Sequence, residues 1–481
     1  MKRTLILILI LMLITIDVIA CTIGVASHTI TTSDKPILWK SRDKTPTTIN
    51  SIRYVDNMTY NFVGISTPGE NRVWMGVNEM GFALANSLSY DLTVDVGDYN
   101  NGNLIYNALG LVSNLNEFEN FLDYMTSTTS ISLELRGNFV AFDAEGNTKL
   151  YEINNNNYWV FETDDTENPY LLRTNHSVIG GSFEGIERLN RSAQIIQDLV
   201  EDNELSVNNL LLKQVRDISD RDSQPYALPL QYGDPTSLFN TEYSICRRNT
   251  VSAVVIEGVQ PGQDPKLTTM WLIMGNPFVT QAIPIFPTII PNVTTINNLS
   301  ENSPELVNII WNRDNNYLLD TSNFVNASFS LLQEFENKEV GLYQSLEDLK
   351  TQWGNQEIND STITSFINQN ATSALNFSTE IFYNLTPNED NEVVPAQSLQ
   401  VYPNPFQTVL TIKTKTASKA KGQVSIYNLK GQLVKTISSA LDNNYSWNGK
   451  DNKNDNLPNG VYLIKYESAV ESVVQKVVLL K

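Results

Sequence analysis

Residues 1–26 read MKRTLILILILMLITIDVIACTIGVA, and the reading of this stretch decides how the rest of the chain is understood. Lys2 and Arg3 precede an apolar run over residues 5–16, and small Ala20 closes the segment with Val18 two residues before it. That layout predicts a cleavable export signal over residues 1–20. The run is too short to span a bilayer comfortably, and no other stretch approaches the roughly 20 apolar residues that a spanning helix needs, so a soluble, exported protein is expected. Cleavage after Ala20 makes Cys21 the first residue. A cysteine in that position carries a thiol and a free α-amine together. An amine of reference pKa about 7.7–8.0 can act as base toward a thiol of about 8.5, so nucleophile and base come from one residue.

Two other readings of Cys21 stand beside this one. Val18-Ile19-Ala20-Cys21 also satisfies the pattern for lipoprotein processing, in which diacylglycerol caps the sulfur. Against a lipid anchor, Thr22-Ile23-Gly24-Val25-Ala26 reads as the start of a buried strand rather than a polar tether. The third reading is a structural cysteine, paired with Cys246 in an oxidising compartment.

A chain of 481 residues with 41% hydrophobic content buries a full core and has room for two or three domains. Its net charge of −20, without a clustered basic face, argues against nucleic acid or an anionic membrane as partner. With only two cysteines, no disulfide framework supports the fold. His28 and His176 are the two histidines, far apart and without zinc-type spacing. A metal hydrolase is therefore not expected, no cofactor is called for, and a Ser-His-Asp triad has few candidates.

Along the chain, strands are expected at residues 23–26, 36–40, 60–65, 73–77 and 82–86. Helices follow at 104–111 and 115–124, then strands at 138–143, 149–153 and 158–161. Helical spacing returns at 187–202 and 207–217, and β-rich runs at 250–257 and 268–274. Strands, helices and strands again predict an α+β layered domain ending near residue 287. Residues 292–390 are Asn-rich, with helical spacing at 305–311, 329–336 and 342–353, and read as a helical extension on the preceding domain. Residues 387–395 have the composition of a linker. Beyond them, alternation at 399–402, 409–414, 423–428, 432–437, 445–448, 460–467 and 471–480 predicts a small β-sandwich.

That last region holds Val401-Tyr402-Pro403-Asn404-Pro405-Phe406, the run VSIYNLKG at residues 424–431, Trp447-Asn448-Gly449-Lys450-Asp451 and Leu457-Pro458-Asn459-Gly460-Val461-Tyr462. Together they resemble the C-terminal sorting domain of type IX secretion substrates. The resemblance implies that residues 392–481 are an address read by that secretion machinery, which carries the protein through the outer membrane to release or surface attachment. Asp451–Asp455 is read as a solvated turn and not a calcium loop, since Lys453 stands where a ligand is needed.

Further motifs lie in order upstream: Cys21-Thr22, Trp39-Lys40-Ser41-Arg42-Asp43, Gly76-Val77-Asn78-Glu79-Met80-Gly81 leading into Ala85-Asn86-Ser87, Arg173-Thr174-Asn175-His176, Glu187-Arg188-Leu189-Asn190-Arg191, and WLIMGNP at residues 271–277. In this order they resemble the N-terminal-nucleophile hydrolases of the linear-amide group, which includes choloylglycine hydrolases and the isopenicillin-N acyltransferase-like family. The resemblance implies a four-layer αββα sandwich over residues 21–291, followed by the helical extension and linker at 292–391, and a small-molecule acyl-amide as substrate. Cys21 then attacks the amide carbonyl and Asp43 holds the α-amine. Asn175 donates to the oxyanion with Asn86 as second contributor, and Arg191 orients the site, with Arg188 the alternative. Lys40 occupies a position where the family usually has Arg, and Arg42 sits beside Asp43, so either can support the thiolate. A lipid-anchored or surface-displayed binding protein that keeps this fold without activity is the alternative function.

Overall fold

The first strand, β1 (Cys21–Ala26), is buried along its whole length, which is why its sequence is nearly continuous in apolar residues. It pairs antiparallel with β2 (Ile37–Asp43), placing Cys21 opposite Arg42 and Ile23 opposite Lys40. Gly24 faces Trp39 in this ladder, and a Cβ on Gly24 would stand 2.3 Å from the indole. Only glycine lets that ring lie across the strand.

The computed structural model describes residues 20–44, 48, 50–67, 70–128, 130–164, 167–219, 237–287, 324–327, 329–353, 360–385, 399–402, 406–414, 423–428, 432–438, 444–467 and 472–479. The expected export signal, the expected helix at 305–311 and the linker at 387–395 lie outside these residues. After β2 come β3 (Ser51–Val55), β4 (Phe62–Ser66), β5 (Val73–Asn78), β6 (Ala83–Leu88) and β7 (Tyr99–Asn100). Helices α1 (Asn101–Leu111) and α2 (Leu115–Ser127) follow, then β8 (Leu133–Glu134), β9 (Arg136–Phe142), β10 (Thr148–Asn154), β11 (Tyr158–Glu162) and β12 (Tyr170–Arg173). Next are α3 (Ile186–Glu201), α4 (Val207–Asn209), β13 (Ser237–Asn240), β14 (Thr250–Glu257), β15 (Thr269–Met274), β16 (Ile283–Ile285) and β17 (Phe324–Ala327). Two long helices, α5 (Phe329–Trp353) and α6 (Asp360–Leu385), complete this part.

The strands form a six-stranded sheet ordered β12-β1-β2-β14-β15-β16 and a seven-stranded sheet ordered β11-β10-β9-β6-β5-β4-β3. Every pairing within them is antiparallel. One apolar core takes Ile23, Val25 and Leu38 from the first sheet together with Met75, Val77, Ala83, Ala85 and Phe142 from the second. Another joins Leu104, Leu109, Phe118 and Leu122 of α1 and α2 to Phe62, Phe82, Phe139 and Tyr151. At roughly 1.5–3 kcal/mol for each large side chain fully buried, these two cores dominate the favourable side of folding. Gly76 lets α1 approach: a Cβ there would meet Leu109 at 2.8 Å.

Helix α5 belongs to the same compact unit as the sheets, which runs to Phe382. Leu342 and Leu346 join the core of the first sheet, and Tyr343 packs on Trp271 with ring centroids 5.8 Å apart. Both Glu339 oxygens accept from the buried Arg216 guanidinium at 2.7 Å. Lys35 bridges Glu257 and Glu347 at 3.3 and 3.0 Å. The expected helix at 207–217 is instead the single turn of α4 followed by a π-turn at Leu210–Gln214.

The second unit holds β18 (Leu399–Tyr402), β19 (Leu410–Thr414), β20 (Gln423–Asn428), β21 (Leu433–Ser438), β22 (Asn444–Trp447), β23 (Gly460–Glu467) and β24 (Ser472–Leu479). They form sheets ordered β18-β19-β22 and β21-β20-β23-β24, with Ile412, Val424, Ile426, Trp447, Tyr462 and Ile464 in one core. The Asp451 carboxylate accepts from the N–H groups of Lys453 and Asp455, both at 2.9 Å, and so closes its own turn.

Candidate active site

The start of β1, the end of β2 and the segment between β12 and α3 meet at Cys21, which is 4% exposed. Its backbone nitrogen donates to Asn175 Oδ1 at 3.0 Å, and its carbonyl accepts from Arg188 Nη1 at 2.7 Å. Arg188 Nη2 reaches the same Asn175 oxygen at 2.8 Å, while Asn175 Nδ2 donates to the Leu88 carbonyl at 2.8 Å. Two donors on one end of the amide and a carbonyl at the other fix which end is oxygen. The resemblance implies donation from Asn175 to an oxyanion, but toward Cys21 this side chain acts as an acceptor. Its place is secured by Asn138, whose Nδ2 donates to the carbonyls of Thr174 and His176 at 3.2 and 3.0 Å.

The arginine at this point is Arg188. A left-handed Gly185, φ 76°, opens α3, and a Cβ on it would stand 2.4 Å from Arg188 Nη2, so glycine is what lets the guanidinium fold back onto β1. Burial lowers the Arg188 pKa, while Asp43 and Cys21 favour its charge. Arg191, first choice from the sequence, is turned away and binds Asp217 at 2.9 Å. The reason is helical phase: Arg188 is buried in line with Ser192, Ile195 and Leu199, and Arg191 lies off that stripe.

Asp43 is 1% exposed and adjoins the Cys21 nitrogen through the preceding residue, since its own N–H donates to the Ala20 carbonyl at 3.0 Å. A register shift in β14 sets Thr250 opposite Asp43, and Thr250 Oγ1 donates to Asp43 Oδ1 at 2.6 Å. Arg247 Nη1 lies 3.5 Å from the other carboxylate oxygen. Burial pushes the Asp43 carboxyl above its usual range, with Arg247, Arg188 and the Thr250 hydroxyl opposing it. Sequence reading missed Arg247, Thr250 and Asn138: a basic residue before a strand, a threonine in a bulge and an asparagine inside a strand carry no motif.

Lys40 and Arg42 serve different partners. Lys40 Nζ donates to the Trp74 carbonyl at 2.7 Å and to Asn86 Oδ1 at 3.0 Å. Arg42 binds Asn50 Oδ1 and lies over the Trp74 ring, 5.2 Å from its centroid. Burial pulls its guanidinium down to about 10, against the opposing pull of Cys21 and Glu70. Tyr90, 36% exposed, donates its N–H to the Asn175 carbonyl at 3.0 Å, and partial desolvation, aided by Cys21 and Glu184, pushes its phenol up to about 12.

Other motif residues are structural. Asn78 Oδ1 accepts from the N–H groups of Met80 and Phe82 at 3.1 and 3.0 Å, around Gly81 at φ 76°. That explains the sequence of residues 76–81 as a tight turn between β5 and β6. His176 Nδ1 lies 2.8 Å from the Glu184 carbonyl. Cys21 and Cys246 are both free, so the disulfide reading does not hold.

Residues 400–480 match the family model of the secretion system C-terminal sorting domain. The protein therefore carries an address for type IX secretion and export to the cell surface or beyond; among the described residues no helix is long and apolar enough to cross a membrane. No curated protein matches the chain. Among solved structures, an acid amidase ortholog from Caenorhabditis elegans that hydrolyses N-acylethanolamines is similar at 15% identity, covering 50% of this chain and 94% of its own, with TM-score 0.32. A mutant conjugated bile acid hydrolase from Clostridium perfringens gives 12% identity, 56% and 92% coverage and TM-score 0.34. Latent PorU from Porphyromonas gingivalis gives 18% identity over 17% of this chain and 9% of its own, with TM-score 0.15.

Proposed function

We propose that the chain is a secreted cysteine amidohydrolase or acyltransferase of the N-terminal-nucleophile kind, cleaving a linear amide through an acyl-enzyme on Cys21. The observation that carries this reading is the acceptor on the Cys21 nitrogen. Cleavage after Ala20 turns that nitrogen into a free α-amine, and Asn175 Oδ1 already stands 3.0 Å from it. In this reading the two sheets and their helices stack as a four-layer αββα sandwich, in which α5 and α6 join residues 21–291, and the tail at 392–481 is a small β-sandwich.

The chemistry follows from these positions. Sγ bonds to the amide carbonyl carbon as the thiol proton passes to the α-amine, directly or through a water. Negative charge gathers on the carbonyl oxygen, where Asn86 donates. The C–N bond breaks, and the ammonium on Cys21 returns the proton to the leaving amine. Water or an acceptor amine then attacks the thioester carbon while the α-amine takes its proton; the C–S bond breaks, the acid or new amide leaves, and the ammonium returns the proton to Sγ. Asn175 and Arg188 fix the amine and the Cys21 carbonyl, and Asp43 with Arg247 sets the local field.

Burial of Cys21 weighs against the lipid anchor, because a diacylglycerol on Sγ has to pass through packed strands and residues 22–26 are a central strand, not a tether. Cys21→Ser tests the reading on acyl p-nitroanilides from butanoyl to dodecanoyl. Turnover that depends on Cys21 is expected; turnover that survives the substitution rules the nucleophile out.

A further inference from the structure

Lys40 is a charged side chain sunk between two sheets, 1% exposed. Its Nζ crosses from β2 to the second sheet and donates to the Trp74 carbonyl at 2.7 Å and to Asn86 Oδ1 at 3.0 Å. The β5–β6 ladder runs through Met75↔Ala85, Gly76↔Leu84 and Val77↔Ala83 and stops there. Trp74 and Asn86 lie just past its end, and the ammonium supplies donors where the ladder supplies none.

An ammonium has three donors and no acceptor. The Asn86 atom facing it is therefore the oxygen, and the amide nitrogen is turned the other way. Asn86 is 4% exposed, yet among the described residues no acceptor takes its Nδ2. Among the described residues Nδ2 is not one of the fully buried side-chain atoms without a partner, so it stays open to a group arriving from outside the chain. Asn86 is also linked to the site through its strand. Two residues on, the Leu88 carbonyl takes Asn175 Nδ2, and Ser87 Oγ donates to the Thr174 carbonyl, so the end of β6 is tied to the segment that holds the Cys21 nitrogen.

We infer that Lys40 is a positioning residue which, by holding Asn86 Oδ1, turns the Asn86 amide nitrogen toward the oxygen that becomes negative when Cys21 attacks. This rests on the cysteine-amidase reading above. Lys40 acts through Asn86 and does not touch substrate. The ionisable groups that face it are Cys21 on β1 and Arg42 and Asp43 on β2; from β5 and β6 it meets the neutral Trp74 carbonyl and Asn86 amide. Burial pulls its amine down to about 7, with Cys21 raising it, Arg42 lowering it and Asp43 raising it. Once deprotonated, the amine has a lone pair, accepts as well as donates, and no longer dictates which end of the amide faces it. Turnover through Asn86 then declines as pH rises past that range.

The test is a double-mutant cycle on the acyl p-nitroanilides, with alkylation of Cys21 by iodoacetamide, a reaction that needs no oxyanion donor, followed in parallel. Asn86→Ala is expected to lower kcat by about 10²–10³-fold with KM within about 3-fold. Lys40→Met should lower kcat by at least about 10-fold, and in the Asn86→Ala background by less than about 3-fold, since the two act as one unit. Alkylation rates should stay within about 3-fold of wild type in Asn86→Ala, which removes no charge from beside Cys21. Losses that multiply, or an unchanged kcat in Lys40→Met, overturn the inference. Lys40→Arg covers the case in which the Met variant does not fold: even a buried guanidinium keeps its proton at pH 9, so turnover at pH 9 relative to pH 7 should lose the decline attributed to Lys40. The wild-type decline persisting in Lys40→Arg overturns it as well. If wild type cleaves the probes no faster than Cys21→Ser, the parent reading has failed, a result distinct from either outcome of the cycle.

Discussion

Replacing Asn175 separates what this side chain accepts from what it donates. Its oxygen holds the Cys21 nitrogen at 3.0 Å and Arg188 Nη2 at 2.8 Å, and its nitrogen serves the Leu88 carbonyl at 2.8 Å. Asn175→Ala removes these three bonds. A hydrogen bond to a charged group is worth about 1.5–3 kcal/mol and each neutral one about 1 kcal/mol, so a stability loss of about 3–5 kcal/mol is expected. Misplacing the base of the reaction by an ångström costs on the order of 10²-fold in rate. Asn175→Asp keeps both acceptor contacts and sets a carboxylate beside Arg188, losing only the donation to Leu88. Its kcat should stay within about 10-fold of wild type, while Ala falls by about 100-fold or more. Urea midpoints at pH 7 report the stability, and steady-state turnover of the acyl p-nitroanilides reports the rate. A folded Asn175→Asp as inactive as the Ala variant would refute the acceptor role and restore the oxyanion donor that the resemblance implies.

Other consequences follow from burial and charge. Glu339→Ala leaves the Arg216 guanidinium, 0% exposed in its side chain, without its carboxylate; a loss of about 3–5 kcal/mol is expected in denaturant unfolding, and a loss below about 1 kcal/mol would mean that α5 does not hold the unit together. The Lys40 amine titrates near about 7 in the folded protein and near about 10.4 when unfolded, so the unfolded chain holds the extra proton between these values and stability rises with pH there. Wild type should therefore gain about 2 kcal/mol over Lys40→Met between pH 7 and pH 9 in urea midpoints, and equal slopes would contradict the titration. Removing residues 392–481 should block passage across the outer membrane, as fractionation of cells will show, while a chain of residues 21–391 made without secretion keeps full-length turnover.

Much of this was legible because burial writes itself into sequence. Residues 23–26 and 37–39 hold almost nothing but apolar side chains and glycine since both faces of β1 and β2 are covered, and the tail strands alternate because each sheet has one face on a shared core. Helix α6 was not legible. Its Asn, Ser and Thr residues are indifferent helix formers, and the burial of Ile363, Ile367 and Ala374 against the first sheet's core supplies what propensity does not. Strand β12 was missed for its length: four residues at a sheet edge, readable only through their pairing with β1. At the site, Asp43 was linked to Cys21 by the resemblance and not by any periodicity; the antiparallel pairing of β1 with β2 is what brings their ends close. The choice between Arg188 and Arg191 turned on helical phase, and Arg247 was out of reach because the contact spans 204 residues of sequence.

The role of Cys21 as a free N-terminal nucleophile can be read on the protein itself. Its direct test is peptide mass mapping of the protein secreted by its native host, before and after a brief acid-quenched exposure to a dodecanoyl p-nitroanilide. The N-terminal peptide should begin at Cys21 with an unmodified amine and thiol, and gain one dodecanoyl group on the sulfur in the quenched sample. A peptide beginning elsewhere, a diacylglycerol on Cys21, or an acyl group carried by any other residue would contradict it.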